Sequence, residues 1–297
     1  MAIPIGVFGP PDSGKSFSRS TMRRPKEQFM LSTTPKDLYF EGEEQQLLVT
    51  HKKSASLAQV IKDTGDLRKS GQLVNYLGQA LQSNQELKMH GNFDRCRLSD
   101  LGTYLMAVDK YMPHVKVIHV EDMTHYITKR ITSRQFIGDT QKDRAYGRYL
   151  DVAADFMNGT LHLIENMRED LIVVMYYHVA FDEEMQRLEI LTPGGKLLEE
   201  KALPSSYFDY AAVTRFITEM EKPDIPYEQR YRFIVRRTGR YTGRSGRALP
   251  GVQDIPNDLQ YFIDAVRLRK KGSYILDHTP KQLPEITTNL TVDLSNS

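Results

Sequence analysis

Eight residues near the start of the chain, Gly9-Pro10-Pro11-Asp12-Ser13-Gly14-Lys15-Ser16, fit the spacing G-x-x-x-x-G-K-[ST]. These residue types at this spacing suit phosphate binding. The glycines let backbone N–H groups converge on phosphate oxygens, and a helix that follows adds its dipole. Lys15 is expected to reach the β- and γ-phosphates and the Ser16 hydroxyl to ligate Mg²⁺. The stretch from Gly9 to Phe17 is therefore the expected binding segment for ATP with Mg²⁺. The bland alternative is a Gly/Pro turn before a helix. A strand-like run before the motif and a helix-like run after it favour the phosphate reading.

Hydrolysis or transfer at such a loop also needs an acid at the end of a neighbouring strand, to hold hydrated magnesium. The run Val-Ile-His-Val-Glu-Asp-Met supplies Glu121 and Asp122. Glu121 takes the usual acidic position, with Glu in place of the commoner Asp, and Asp122 shares or replaces it. Alone, an acidic pair merely caps a strand; beside the phosphate loop it reads as metal-binding. His178 follows the apolar run Leu171–Tyr177 and stands where a polar strand tip senses the γ-phosphate or the attacking water. A histidine satisfied by a backbone carbonyl is the equal alternative. His119 and His125 flank the acidic pair and read as packed or exposed, since no ligand set accompanies them. Glu41, Glu43 and Glu44 follow the second strand-like run, and Glu43 is taken as the candidate general base. A solvated acidic loop is the competing reading of all three.

A second chemical feature lies far downstream. Residues 230–247 read RYRFIVRRTGRYTGRSGR, with seven arginines and no acid. Arg236, Arg237, Arg240, Arg244 and Arg247 cluster in its Gly-rich part beside Tyr241. Arginines interleaved with aromatics suit phosphate backbones and base stacking. An arginine on such a loop also suits a finger reaching a neighbouring subunit's nucleotide. Edge-strand protection accounts for Arg230 and Arg232 but poorly for the cluster. The basic run 267–271 ends a helix, where cations are favoured without any functional reason.

These groups need a frame. Residues 3–8, 28–33, 115–120 and 171–177 read as strands, the last as a central strand covered on both faces. Helices are expected from Lys15 to about Pro25, within 57–81, over 98–111 and over 149–168. Residues 128–148 read as a basic loop. Strands at 186–192, 207–219 and 229–237 follow, then one amphipathic helix over 257–271 with Asn257 as its cap. Alternating strands and helices imply an α/β fold with a largely parallel sheet and helices on both faces. The late strands are expected to extend it, antiparallel at the edge. One domain over 1–276 and a flexible tail over 277–297 are expected.

Composition narrows the class. The chain has 297 residues, 40% hydrophobic and 26% charged, which suits a globular protein with its own core. No apolar run approaches 18 residues, and the N-terminal residues lack a basic leader, so neither a membrane span nor a signal peptide is expected. One cysteine, Cys96, excludes an intrachain disulfide framework and points to a reducing, cytoplasmic setting. The net charge of +2 combines +7 in the arginine segment with −5 over the remainder. A near-neutral total therefore does not argue against nucleic acid.

Several blocks in order resemble the phage-encoded RecA/Rad51-like ATP-binding proteins related to the Sak-type single-strand annealing ATPases. They are GPPDSGKS at 9–16, VIHVEDMTHYI at 117–127, LIVVMYYHVAFDEE at 171–184, TPGGKLLEEK at 192–201 and the stretch 231–266 ending in a helix that starts I-P-N-D. The likeness spans about residues 3–270. It implies a RecA-like core that hydrolyses ATP with Mg²⁺ and acts on single-stranded DNA in phage recombination or replication, as a homo-oligomer. It assigns Lys15 and Ser16 to the phosphate loop, Glu121 and Asp122 to the acidic strand end and His178 to the polar tip. Arg244 falls near a basic position of the family, here Arg-Ser-Gly in place of a Lys-Ser-Pro-like turn. Thr34 stands where relatives often carry an acid. Two other classes remain open: a nucleoside or nucleotide kinase with an arginine lid, and an assembly protein that binds ATP without turnover.

Overall fold

A computed structural model describes residues 1–24, 27–32, 112–131, 160–183, 186–191 and 207–272, together with Leu101, Gly102, Leu105, Val108 and Asp109. The strands are β1 Ile3–Gly9, β2 Gln28–Ser32, β3 Val117–Glu121, β4 Ile172–Asp182, β5 Arg187–Ile190 and β6 Tyr210–Phe216. They continue with β7 Tyr231–Ile234, β8 Arg237–Thr238, β9 Tyr241–Thr242, β10 Arg244–Ser245 and β11 Asp254–Pro256. The helices are α1 Met123–Ile131, the short α2 His162–Glu165 and α3 Leu259–Lys270.

The result is a mixed α/β fold around a mostly parallel sheet, with strand order β11-β7-β6-β1-β4-β3-β2. Its middle, β6-β1-β4-β3-β2, is parallel throughout. β7 and β10 pair with β6 antiparallel, β11 with β7 and β5 with β4. β1 and β4 are the most apolar runs and occupy the centre, as continuous β-branched and aromatic sequence requires when both faces are covered. Alternate residues sort accordingly. Phe8, Ile118, Val120, Val173, Met175 and Tyr177 join one buried cluster with Met123 and Ile127. Ile5, Val7, Val117, Val174, Tyr176 and Phe233 join another with Leu259, Phe262 and Ile263.

Four expectations change. The segment after Lys15 is a 3₁₀ turn, Phe17–Thr21, not a helix to Pro25. Its hydroxyls explain why: Ser18, Ser20 and Thr21 each donate to the carbonyl three residues back, at 2.6, 2.7 and 2.7 Å. Such back-bonding competes with an α-helical ladder. Helix α1 runs through residues 128–131, which the sequence placed in a loop. β4 runs on to Asp182, beyond the expected strand end at residue 177. The cap of α3 is Asp258, whose Oδ1 accepts from the Tyr261 N–H at 2.8 Å, not Asn257. The expected helices within 57–81, the block 192–201 and the tail 277–297 lie outside the described residues.

Candidate functional site

The phosphate-loop residues leave the C-terminal end of β1 and are held from four directions. Gly9 cannot carry a side chain, because a Cβ there would run into Thr214 and Ser13. Gly14 has φ +93°, and a Cβ would meet Asn257 Nδ2 at 2.5 Å and the Tyr231 ring at 2.7 Å. Both close approaches need glycine. Ser13 Oγ donates to Pro10 O at 2.7 Å and also contacts the Thr214 hydroxyl on β6. Thr214 donates to Phe8 O at 3.2 Å, and Asn257 Nδ2 donates to Gly14 O at 2.8 Å. Thr21 Oγ1 accepts the first α3 amide, Leu259 N–H, at 2.9 Å. The 3₁₀ turn thus satisfies a free backbone amide at the start of α3.

Lys15 is buried and curls over the loop, donating to Gly9 O at 2.8 Å and Pro10 O at 2.6 Å. Its Nζ lies 3.4 Å from His178 Nδ1. His178 pairs in register with Gly9, the last parallel contact of β1 and β4. It is not a strand end: β4 continues to Asp182 in antiparallel pairing with β5. His178 Nε2 is 3.6 Å from Asp122 Oδ1, so the imidazole lies between Lys15 and Asp122. The His178 amide donates to the Thr124 hydroxyl at 2.9 Å, which ties the imidazole's strand to the acid-bearing turn.

Glu121 ends β3 and is buried. Its Oε1 accepts from Ser16 Oγ at 2.8 Å, and its Oε2 is 2.9 Å from the Arg19 guanidinium. Glu121 and Ser16 therefore meet as the sequence predicts. Arg19, which the sequence does not flag, is buried as deeply as the apolar core at 1% exposure. It also donates to Ser16 O at 3.2 Å and stands over the Tyr176 ring at 5.5 Å. The Tyr176 hydroxyl meets His119 Nδ1 at 3.0 Å, and His119 Nε2 meets Gln28 Oε1 at 3.1 Å. Burial, and secondarily the Arg19 guanidinium, push the His119 pKa down to about 3. His119 is a neutral packed histidine, one of the two readings the sequence allowed. His125 is half-buried, and its amide donates to Asp122 Oδ1 at 3.1 Å.

Asp12 and Asp122 both adopt left-handed backbone, φ 56° and 57°. Aspartate tolerates this better than most residues. One lies in the phosphate loop and the other follows the acidic strand end. Magnesium sites of this kind use one or two carboxylates with substrate phosphates and water rather than an all-protein cage. The oxygens of Ser16 and Glu121, with Asp122 adjoining, fit that donor chemistry. Among the described residues no group of three or more His, Cys, Asp or Glu converges to hold a metal by itself. Glu41, Glu43, Glu44 and Thr34 lie outside the described residues.

The arginine segment is organised differently. Arg230 is 3.6 Å from Glu219, and Arg232 is 2.9 Å from Asp254 on β11. Arg236, Arg237, Arg240, Arg244 and Arg247 are all exposed. They do not sit on one loop: β8 and β9 form a hairpin, β10 pairs with β6, and Arg247 follows with φ 65°. Arg240 and Arg215 stand over the Tyr241 ring at 5.4 and 5.6 Å. Arg236, Arg237, Arg240 and Arg247 make no ion pair among the described residues.

No protein-family model matches the chain, and the curated proteins contain no match to it. No described helix is long and apolar enough to cross a membrane.

Residues the sequence did not assign to the site complete it: Arg19, Thr124, Thr214, Tyr231 and Asn257. Only Asn257 carried a local signal, an Asn directly before the capping Asp of a helix.

Proposed function

We propose that the chain is a Mg-dependent ATPase with a RecA-like core, binding ATP across Gly9–Phe17 and gripping single-stranded DNA through the exposed arginines as a homo-oligomer. The observation that carries the reading is the meeting of Ser16 Oγ and Glu121 Oε1 at 2.8 Å, at the C-terminal ends of parallel strands. Two elements 105 residues apart thereby bring a phosphate-loop hydroxyl and a strand-end carboxylate together. That is the pair an NTP-bound magnesium needs.

His178 adds support, since it touches both the loop lysine and Asp122. In the proposed reaction Lys15 leaves its contacts with Gly9 O and Pro10 O and neutralises developing charge on the γ-phosphoryl group. Magnesium, which Ser16 and Glu121 with Asp122 adjoining would hold, would supply further charge neutralisation there. Glu121 fixes Ser16, and His178 orients the water. Arg236, Arg237, Arg240 and Arg247 suit DNA because they are exposed and make no ion pair among the described residues, so they release counterions from a phosphate backbone at no cost in broken ion pairs. The resemblance to phage RecA/Rad51-like proteins points to recombination or replication in a cytoplasmic setting. The test is ATP hydrolysis measured with and without single-stranded DNA, for the natural chain and Lys15→Ala. Phosphate transfer to nucleosides without DNA stimulation would select the kinase alternative instead.

A further inference from the structure

We propose that Phe17, Phe216, Tyr227 and Tyr231 form a stacking platform for the base of the nucleotide held on the phosphate loop. The inference rests on the nucleotide-binding reading above and extends it from phosphate recognition to base recognition. The four rings form one connected group. Phe17 and Tyr231 have centroids 5.7 Å apart, Phe216 and Tyr231 4.9 Å, Phe216 and Tyr227 5.7 Å, and Tyr227 and Tyr231 5.9 Å. The Tyr227 and Tyr231 hydroxyls meet at 3.2 Å and fix those two rings against each other.

The platform's place follows from topology. Phe216 ends β6 and is paired with Tyr231, which begins β7, so both sit at the end of the sheet where β1 enters the phosphate loop. Phe17 directly follows Ser16, and the Tyr231 ring would lie 2.7 Å from a Cβ on Gly14. The rings therefore border the loop that would hold the phosphates. Asn257 Oδ1, buried beside Gly14, has no hydrogen-bond partner among the described residues and leaves an acceptor at the same corner.

Two of the rings are also exposed and two half-buried, where another aromatic cluster is fully buried. Phe17 is 50% and Tyr227 59% exposed, whereas Phe8, Tyr177 and Phe208 are buried against one another. Apolar surface left open beside a phosphate site is surface a flat ligand can cover. A base of bound single-stranded nucleic acid is the other candidate occupant. A strand needs a cation track beside its stacking rings, and the neighbouring Arg230 and Arg232 are engaged by Glu219 and Asp254. No guanidinium stacks on these four rings among the described residues; the arginines that stack do so on Tyr176 and Tyr241.

Calorimetric titration of the full chain with Mg·ATP and with Mg·tripolyphosphate tests the platform. The expected result is at least tenfold tighter binding of ATP. Phe17→Ala and Tyr227→Ala should each weaken ATP by about tenfold, a loss typical of base–aromatic stacking, and Tyr227→Ala should leave tripolyphosphate within twofold. Tyr227→Phe, which keeps the ring, should keep ATP affinity and shows that any loss is not misfolding. Equal affinity for ATP and tripolyphosphate overturns the platform while leaving the phosphate loop standing. So does unchanged ATP affinity in both alanine variants, or a loss confined to oligo-dT binding. Failure of the natural chain to bind either ligand overturns the nucleotide reading itself.

Discussion

The phosphate-loop corner and the arginine segment both concentrate charge, but in opposite ways. At the corner Lys15, Arg19, Glu121 and Asp122 are buried and engaged: Lys15 on two carbonyls, Glu121 on Ser16 and Arg19, Asp122 on the His125 amide. Along residues 236–247 the guanidiniums are exposed, and those of Arg236, Arg237, Arg240 and Arg247 make no ion pair among the described residues. A buried charge must be compensated within the fold, so the corner couples chemistry to stability. An exposed charge is compensated by water and salt, so the arginines can be changed with little effect on the fold. Positioned groups suit a reaction; solvated groups suit a partner that brings its own charge.

The largest test of this contrast is Arg19→Met. It leaves Glu121 buried without its counter-charge and should cost about 3–5 kcal/mol in denaturant unfolding. The double variant Arg19→Met/Glu121→Gln should recover much of that loss. A single-variant loss under about 1 kcal/mol would show that the corner is not held by its charges.

Acid should act next, through His119. Its folded pKa lies near 3, below the ordinary histidine value of 6.5. The unfolded chain therefore binds more protons between these two values, and stability falls as pH drops below about 6.5. The slope is about 1.4 kcal/mol per pH unit, or about 2 kcal/mol from pH 7 to pH 5. His119→Gln should flatten that part of the stability profile. An identical slope in the variant would assign the acid sensitivity to other groups.

Smaller again is Asn257→Ala, which removes one hydrogen bond to Gly14 O and should cost about 1 kcal/mol. It should weaken Mg·ATP binding by more than this loss of stability alone affects the folded population. Unchanged ATP affinity would separate α3 from the loop's function.

The smallest stability effect belongs to Arg236→Ala, Arg237→Ala, Arg240→Ala and Arg247→Ala, each within about 0.5 kcal/mol. Their effect should appear instead in DNA binding. Each arginine that meets a backbone phosphate should lower the log–log salt slope for single strands by about 0.7. Unchanged slopes would remove the arginines from the interface.

What could be read from sequence followed from signals confined to short stretches. β1, β3 and β4 are near-continuous β-branched and aromatic runs, and the Gly-Lys-Ser spacing marks its own loop. The sequence marks a helix from Lys15 to the break at Pro25, whereas three hydroxyl back-bonds decide the local geometry as a 3₁₀ turn. Arg19 reads as a surface residue of a short polar run. Its burial depends on Glu121, about a hundred residues away, which no local pattern reveals. Asn257 reads as the cap because it follows Pro256 at the head of the amphipathic run, whereas Asp258 caps the helix. Its contact with Gly14 requires the late strands to fold back beside β1. The arginine cluster was evident from composition, but its division into paired Arg230 and Arg232 and exposed Arg236–Arg247 depends on partners at Glu219 and Asp254.

The central claim is that the corner turns over ATP and the arginine segment couples that turnover to DNA. Steady-state ATP hydrolysis with Mg²⁺, with and without single-stranded DNA, tests it most directly when the natural chain is compared with Lys15→Ala. The account predicts hydrolysis that rises on adding single-stranded DNA and falls at least about a hundredfold in Lys15→Ala, the scale of removing one transition-state charge contact. Undiminished hydrolysis in Lys15→Ala, or no hydrolysis by the natural chain under either condition, would contradict it.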